Sequence, residues 1–264
     1  MDLSISIVTH NSARMIYQCL ESILNCEYPF AYEVFVVDNC SLDETAADLQ
    51  QRFPQVQLVR NTRNVGYARA NNQAIRRSRG EYILIVNPDI VVRQGTLEKM
   101  LDYMKSHPEA GVAGCQLFYP SGELQLSCRR FPTLTTFLLR GSRIGDLFPH
   151  IPFLEQYLLQ NEDHCRDLDV DWCLGSCLLI RRKALDEAGL LDERFFLYYE
   201  DIDLCFRIKQ KGWKVAYVAG AEMVHHYHRL SASLLPNRYT VHHLKSALYF
   251  FWKFRQERKR GTII

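Results

Sequence analysis

Three acids fall within four consecutive positions at Glu200-Asp201-Ile202-Asp203, directly after the aromatic run Phe195-Phe196-Leu197-Tyr198-Tyr199. A carboxylate held at a helix start beside rings that can stack on a sugar is suited to take a proton from a hydroxyl, because a general base must sit rigidly within hydrogen-bond reach. The same acids also suit a plain helix N-terminus, where the dipole and open N–H groups favour negative charge. A second acid, Asp89 in Asn87-Pro88-Asp89, ends an apolar run and could hold Mg2+ or Mn2+, whose other ligands would be diphosphate oxygens and water. Nitrogen donors for such an ion stand at His225, His226 and His228.

Polar residues close each of the early apolar runs: Thr9-His10-Asn11, Asp38-Asn39, Arg60-Asn61 and Asn87-Pro88-Asp89. Taken singly, each reads as a cap or turn. Together, at the ends of parallel strands, they line one crevice with groups suited to a base, a ribose and phosphates.

The elements that must position these residues alternate from the start of the chain. Strand-like Ile5 to Val8, Val34 to Val37 and Val56 to Val59 are each followed by a helical pattern, at Met15 to Leu24, Thr45 to Phe53 and Tyr67 to Ile75. Tyr82 to Val86 is apolar on both faces, as a central covered strand should be, and Leu97, Met100, Leu101 and Met104 repeat at helical spacing. The order predicts an α/β fold with a mostly parallel, doubly wound sheet and helices on both faces. Further strands are expected at Val112 to Phe118, Cys177 to Ile180 and Lys214 to Val218, with a helix from Asp201 to Lys211 closed by Gly212. No firm element is expected from Gly141 to Asp167, a stretch read as a loop or lid. One domain is expected over residues 1–235, with a donor half at 1–115, an acceptor and catalytic half at 116–235, and a helical tail at 236–264.

Composition narrows the chemistry. With 32 basic and 30 acidic residues in 264, the chain has no global attraction for nucleic acid, which is not expected as a partner. Nine scattered cysteines fit reduced thiols and a cytoplasmic setting, and Cys173 and Cys177 lack metal or redox spacing. No signal peptide or membrane span is expected. Val8 to Arg14 has none of the glycines that a dinucleotide fold places there, and no GxxxxGK[ST] occurs, so phosphate must be held in another way.

The motifs Val8-Thr9-His10-Asn11, Val36-Val37-Asp38-Asn39, Asn61 to Gly66 with Ala70-Asn71-Asn72, and Asn87-Pro88-Asp89 resemble the donor site of family 2 glycosyltransferases. Asp171 to Ser176, the Glu200 to Asp203 helix and Val224-His225 extend the likeness in the same order, most closely to rhamnosyltransferase-like bacterial members. The resemblance implies a GT-A fold and an inverting transfer from a dTDP- or UDP-sugar to a saccharide or polyprenyl-linked acceptor in cell-surface polysaccharide synthesis. It implies Thr9 and Asp38 on the pyrimidine nucleoside, Asn64 and Arg69 near the nucleotide, and Asn11 and Asn87 in the same pocket. It also implies Asp89 and His225 on a divalent metal, Asp201 as base with Glu200 beside it, Trp172 in the acceptor wall, and Gly175 leaving room for the sugar. Asn87 departs from the usual Asp-x-Asp and leaves one carboxylate where many relatives have two.

Two rivals share these features: a sugar nucleotidyltransferase, whose glycine-rich first loop is not seen, and a sugar-nucleotide-binding module without catalysis. The C-terminal segment pairs Leu244, Leu248, Phe250, Phe251, Trp252 and Phe254 with the basic run Lys253 to Arg260. Such a helix fits either peripheral contact with an anionic membrane or packing on the domain with a solvated basic end.

Overall fold

The computed structural model describes residues 1–141, 151–226 and 237–259. Strands β1 (Leu3–Thr9), β2 (Tyr32–Asp38), β3 (Gln57–Arg60) and β4 (Tyr82–Val86) form a parallel block in the order β3-β2-β1-β4. All of β1 and β4 is buried, because helices cover both faces. On one face, α1 (Ala13–Leu24) buries Ile16, Cys19, Leu20 and Ile23 against Ile5, Ile7, Leu84 and Val86, joined by Leu97, Met100, Leu101 and Met104 of α4 (Thr96–Ser106). On the other, Ile83 and Ile85 meet Ala68 and Ile75 of α3 (Tyr67–Ile75) together with Leu204, Cys205 and Ile208 of a later helix. The helix α2 (Thr45–Arg52) precedes β3.

The second half of the chain is threaded into the same sheet. The long strands β6 (Ala110–Phe118) and β12 (Lys214–His225) pair in parallel, and β11 (Cys177–Arg181) lies between β4 and β6, antiparallel to both. The sheet is therefore mixed. The reversal has a local cause: β10 (Trp172–Cys173) pairs with β8 (Cys128–Arg129), and the chain turns at Leu174 to Ser176 straight into β11, entering the sheet from the end where β4 stops. That turn lies against the end of β4, where Asn87 N donates to Ser176 O at 3.0 Å.

Two sequence expectations are extended. The strand expected over Lys214 to Val218 runs on to His225, past a register shift between Val218 and Glu222. Beyond the irregularity the strand keeps β6 on one side, with Met223 opposite Leu117, and takes up the short β5 (Ile90–Val92) on the other, with His225 opposite Ile90. Within the stretch expected to be irregular, α5 (Leu134–Gly141) ends and α6 (Pro152–Leu158) forms, with Pro152 in its first turn. The remainder of that expected lid falls on 142–150, outside the described residues. Small pairings not foreseen are β7 (Leu124–Gln125) on β6 and β9 (Leu168–Val170) on β12.

After β11 come α7 (Arg182–Ala188) and α8 (Glu200–Gln210), and the described chain ends with α9 (Arg238–Lys259). α9 packs on the domain: Ala247 and Phe250 are buried, Ser246 Oγ donates to Leu197 O at 2.8 Å, and Lys253 Nζ bonds Asp192 at 2.9 Å and Asp203 at 2.5 Å. Phe250 and Phe254, which the amphipathic reading of the sequence counted among candidate membrane groups, instead meet Tyr199 and Phe206.

Candidate active site

The loops after β1 and β2 are stitched together. Asn11 N donates to Ser41 Oγ at 2.9 Å, Leu42 N donates to Asn11 Oδ1 at 2.8 Å, and Ser41 N donates to Asp38 Oδ1 at 3.2 Å. Asn11 and Cys40 take positive φ of 52° and 67° there, a conformation asparagine tolerates better than most residues. Thr9 is fully buried and its Oγ1 has no hydrogen-bond partner among the described residues; Asp38 is 3% exposed. Asn39 is the hub of the next loop: its Oδ1 accepts from Asn61 Nδ2 and Val65 N, and its Nδ2 donates to Asn64 Oδ1 at 2.9 Å.

Asp89 and His225 face each other where β5 meets β12. His225 Nε2 lies 3.5 Å from Asp89 Oδ2, and His226 N donates to Asp89 O at 2.9 Å. His225 Nδ1 stands 2.7 Å from Gln125 Oε1, so that Nδ1 donates and Nε2 is the ring nitrogen turned toward the carboxylate. Asp89 Oδ1 is buried without a hydrogen-bond partner among the described residues. A buried carboxylate oxygen so placed, beside an imidazole oriented by an amide, fits the coordination of a divalent cation, with phosphate and water completing the shell. Among the described residues no group of three or more His, Cys, Asp and Glu side chains could hold an ion by itself. His228 lies outside the described residues.

The acids of α8 reach this region through a chain of hydrogen bonds. Tyr198 and Tyr199 both have φ of 69°, and this double left-handed bend turns the chain abruptly into α8, placing Glu200 and Asp201 in its first turn. Asp201 Oδ1 accepts from Ile202 N at 2.9 Å and Oδ2 from Gly175 N at 2.8 Å. Tyr67 Oη in turn bridges Asn87 Oδ1 at 2.7 Å and Gly175 O at 3.0 Å, its one proton shared between them with the shorter contact to Asn87. Asp201 is thus tied by Gly175, Tyr67 and Asn87 to the end of β4, two residues before Asp89. The acidic tip of α8 and the Asp89 segment therefore lie at the same end of β4.

Burial, then the charge of Asp201, pushes the Glu200 carboxyl well above the usual range, and Glu200 Oε2 has no hydrogen-bond partner among the described residues. Burial also raises Asp201, though the Gly175 and Ile202 amides oppose the rise. In this pair Glu200 keeps the proton, and Asp201, with two backbone donors, carries the charge. Tyr67 is held firmly neutral by burial, with the nearby Asp201 and Asp89 carboxylates adding to the effect, which keeps its hydroxyl a donor.

Other residues named from the sequence stand as follows. Asn64 Oδ1 is engaged by Asn39 and by Gly66 N at 3.0 Å. Arg69, half exposed, pairs with Glu193 at 3.3 Å. Trp172 is 4% exposed, and its indole N–H donates to Arg130 O at 2.8 Å. The room beside Gly175 is taken by Asp201, whose Cβ and Oδ2 would each lie 3.1 Å from an added Cβ. Sequence reasoning missed Tyr67, Gln125 and Arg129, a cation whose charge acts on Asp201 and whose Nε is buried without a partner among the described residues. Tyr67 had one readable signal, its place straight after Gly66. Gly66 has φ of 88°, and an added Cβ would meet Phe196 O at 2.7 Å.

The description Glycosyl transferase family 2 matches residues 4–189. An N-acetylglucosaminyl-diphospho-decaprenol L-rhamnosyltransferase of Mycobacterium tuberculosis is 31% identical over 262 residues, covering 94% of this chain and 83% of that protein. The rhamnosyltransferase WbbL of Escherichia coli K12 is 29% identical over 198 residues, 72% of this chain and 71% of its own length. Among solved structures, the mannosyltransferase PcManGT from Pyrobaculum calidifontis, in complex with GDP-Man and Mn2+, superposes with a TM-score of 0.61 at 19% identity over 86% of this chain and 57% of that one. GalNAc-T7 with UDP, GalNAc and Mn2+ gives a TM-score of 0.66 at 15% identity over 89% of this chain and 45% of that one. This chain spans about half the length of each of these two solved chains, and the likeness shows the GT-A type of fold. By sequence match and by fold, the chain belongs to glycosyl transferase family 2 and is a transferase.

Proposed function

We propose that the protein transfers a sugar, rhamnose in the first instance, from a dTDP- or UDP-activated donor to a hydroxyl of a saccharide or polyprenyl-linked acceptor, with inversion, in cell-surface polysaccharide synthesis. The observation that carries the reading is the link from Asp201 through Gly175 and Tyr67 to Asn87 beside Asp89. It supports the reading because the proposed base and the proposed diphosphate side then lie at the same end of β4. The rhamnosyltransferase names of the two curated relatives support the sugar, and the lipid-linked acceptor in the first name supports the acceptor class.

In this reading residues 1–115 hold the donor, with Thr9, Asn11 and Asp38 at the base and ribose and Asn64 and Arg69 toward the phosphates. Residues 116–235 present the acceptor, beside a wall that includes Trp172. Asp201 takes the proton from the acceptor hydroxyl as its oxygen attacks the anomeric carbon from the side opposite the diphosphate, and one displacement inverts the configuration. Protonated Glu200 is no base and Asp203 is held by Arg207 and Lys253, which leaves Asp201 to take the proton. Asp89 and His225 would hold a divalent cation, Mg2+ or Mn2+, which neutralises charge developing on the departing diphosphate.

A panel of dTDP- and UDP-sugars, each incubated with polyprenyl-diphosphate-linked N-acetylglucosamine and the purified chain, tests the proposal. Transfer from dTDP-rhamnose, with opposite anomeric configuration in donor and product by NMR, is the expected result. Retention, or no transfer from any donor in the panel, would contradict it.

A further inference from the structure

We infer that the outer face of α9 together with the neighbouring α5 is a docking surface for an anionic lipid bilayer. A helix has one side for each of two neighbours, and α9 uses both. Ser246, Ala247, Phe250 and Lys253 face the domain and are buried or held by the hydrogen bonds described above. Val241, Leu244, Leu248 and Trp252 recur at spacings of three and four on the opposite side and are 47%, 48%, 60% and 57% exposed. A face turned to water is ordinarily polar, so an apolar stripe there marks a second apolar phase.

The stripe continues onto α5. Phe137 packs on His243 and Phe251 with ring centroids 6.0 Å and 5.9 Å apart, and from the same helix Leu134 and Leu138 stand 58% and 60% exposed. The charges flanking the stripe all have one sign. Arg238, Lys245 and Arg255 are exposed on α9, and no acid occurs from Arg238 to Arg255. Aliphatic side chains, an exposed tryptophan and flanking cations without anions are what a helix lying in an anionic headgroup layer requires. The same charges argue against a second copy of the chain. A two-fold contact would set these cations against their own images, with no acid on the face to offset them.

The surface also lies close to the acidic tip. His242 stacks on Phe196 at 4.5 Å, and His243 meets Tyr198 and Tyr199, the residues that lead into Glu200 and Asp201. A bilayer on the far side of α9 would lie about one helix diameter, roughly 10 Å, from that tip. The inference stands on the faces of the helix and does not need the donor or acceptor assigned above.

Flotation of the full chain with substrate-free vesicles tests it. The wild type is expected to float with phosphatidylglycerol-containing vesicles, and less with phosphatidylcholine alone or in about 0.5 M NaCl. L244E/L248E/W252E, altered only at exposed positions, should lose at least about tenfold in partitioning with an unchanged Tm. If that variant proves unstable, K245E/R255E decides, by losing the preference for anionic vesicles. A wild type that stays in the aqueous fraction, or variants that float equally well, would overturn the inference. So would light scattering that shows a wild-type dimer converted to monomer by the triple substitution, since the face would then belong to a second copy. Flotation without any sugar transfer would leave the surface standing while removing the proposed reaction.

Discussion

Gly175 N donates to Asp201 Oδ2 at 2.8 Å, so the acid at the tip of α8 is held by the turn that inserts β11 into the sheet. The aim of the proposed base is therefore set by backbone. Its environment comes from burial, which raises its pKa, against the Gly175 and Ile202 amides and the charge of Arg129, which lower it.

Because the Gly175 Cβ position lies 3.1 Å from Asp201 Cβ and Oδ2, Gly175→Ala should push the carboxylate aside. Turnover is expected to fall roughly 10- to 100-fold, the scale of a misplaced catalytic group, while Tm moves by only a few degrees. Steady-state kinetics beside a melting curve checks this. An unchanged kcat would show that the Gly175 contact does not position the acid.

Tyr67 joins Gly175 O to Asn87 Oδ1. Tyr67→Phe removes the one proton these part-buried acceptors share, for a loss of about 1–3 kcal/mol in unfolding free energy by denaturant titration. A loss near zero would mean that the hydroxyl is replaced without cost and that the link is dispensable.

The Asp89 and His225 pair should make activity respond to a divalent cation: chelator abolishes transfer and Mn2+ restores it. Gln125 orients His225 through Nδ1, so Gln125→Leu is expected to raise the Mn2+ concentration for half-maximal activity by about 10- to 100-fold. Full activity of the chelated enzyme would remove the metal from the account.

Glu200 has its folded-state pKa raised well above the usual carboxylate range by burial and then by the charge of Asp201. The folded protein then binds this proton more tightly than the unfolded chain, whose glutamate titrates near about pH 4.3. The contribution to stability is complete below that pH and is lost as pH rises through the folded pKa. Glu200→Gln should therefore flatten the decline of Tm toward alkaline pH. A wild-type Tm that does not fall on that side would contradict the protonated assignment.

Much of the frame was readable in the chain because parallel strands covered on both faces leave uninterrupted apolar runs, as at Tyr82 to Val86, and end in polar residues at the crevice. Asp89 could be singled out for the same reason, and Asp201 because it stands among acids that open a helix after an aromatic run. What joins them could not. Tyr67 and its acceptor Gly175 are 108 residues apart, and β11 runs antiparallel because of a turn whose partner, β8, has only two residues. His225 reaches Asp89 only because β12 continues past its irregularity at Val218 to Glu222, and a bulge leaves little trace in hydrophobic period. The two uses of α9 were also hidden, since apolar residues on both sides of a helix do not say which side meets the domain.

The most direct test is Asp201→Asn, with donor affinity measured by calorimetry and transfer measured under single turnover. The amide keeps the size of the side chain and loses the base. Donor affinity close to wild type with transfer slower by roughly 10²-fold or more is the predicted result. Transfer at near wild-type rate would show that the proton is taken elsewhere and that the acidic tip of α8 is not the base.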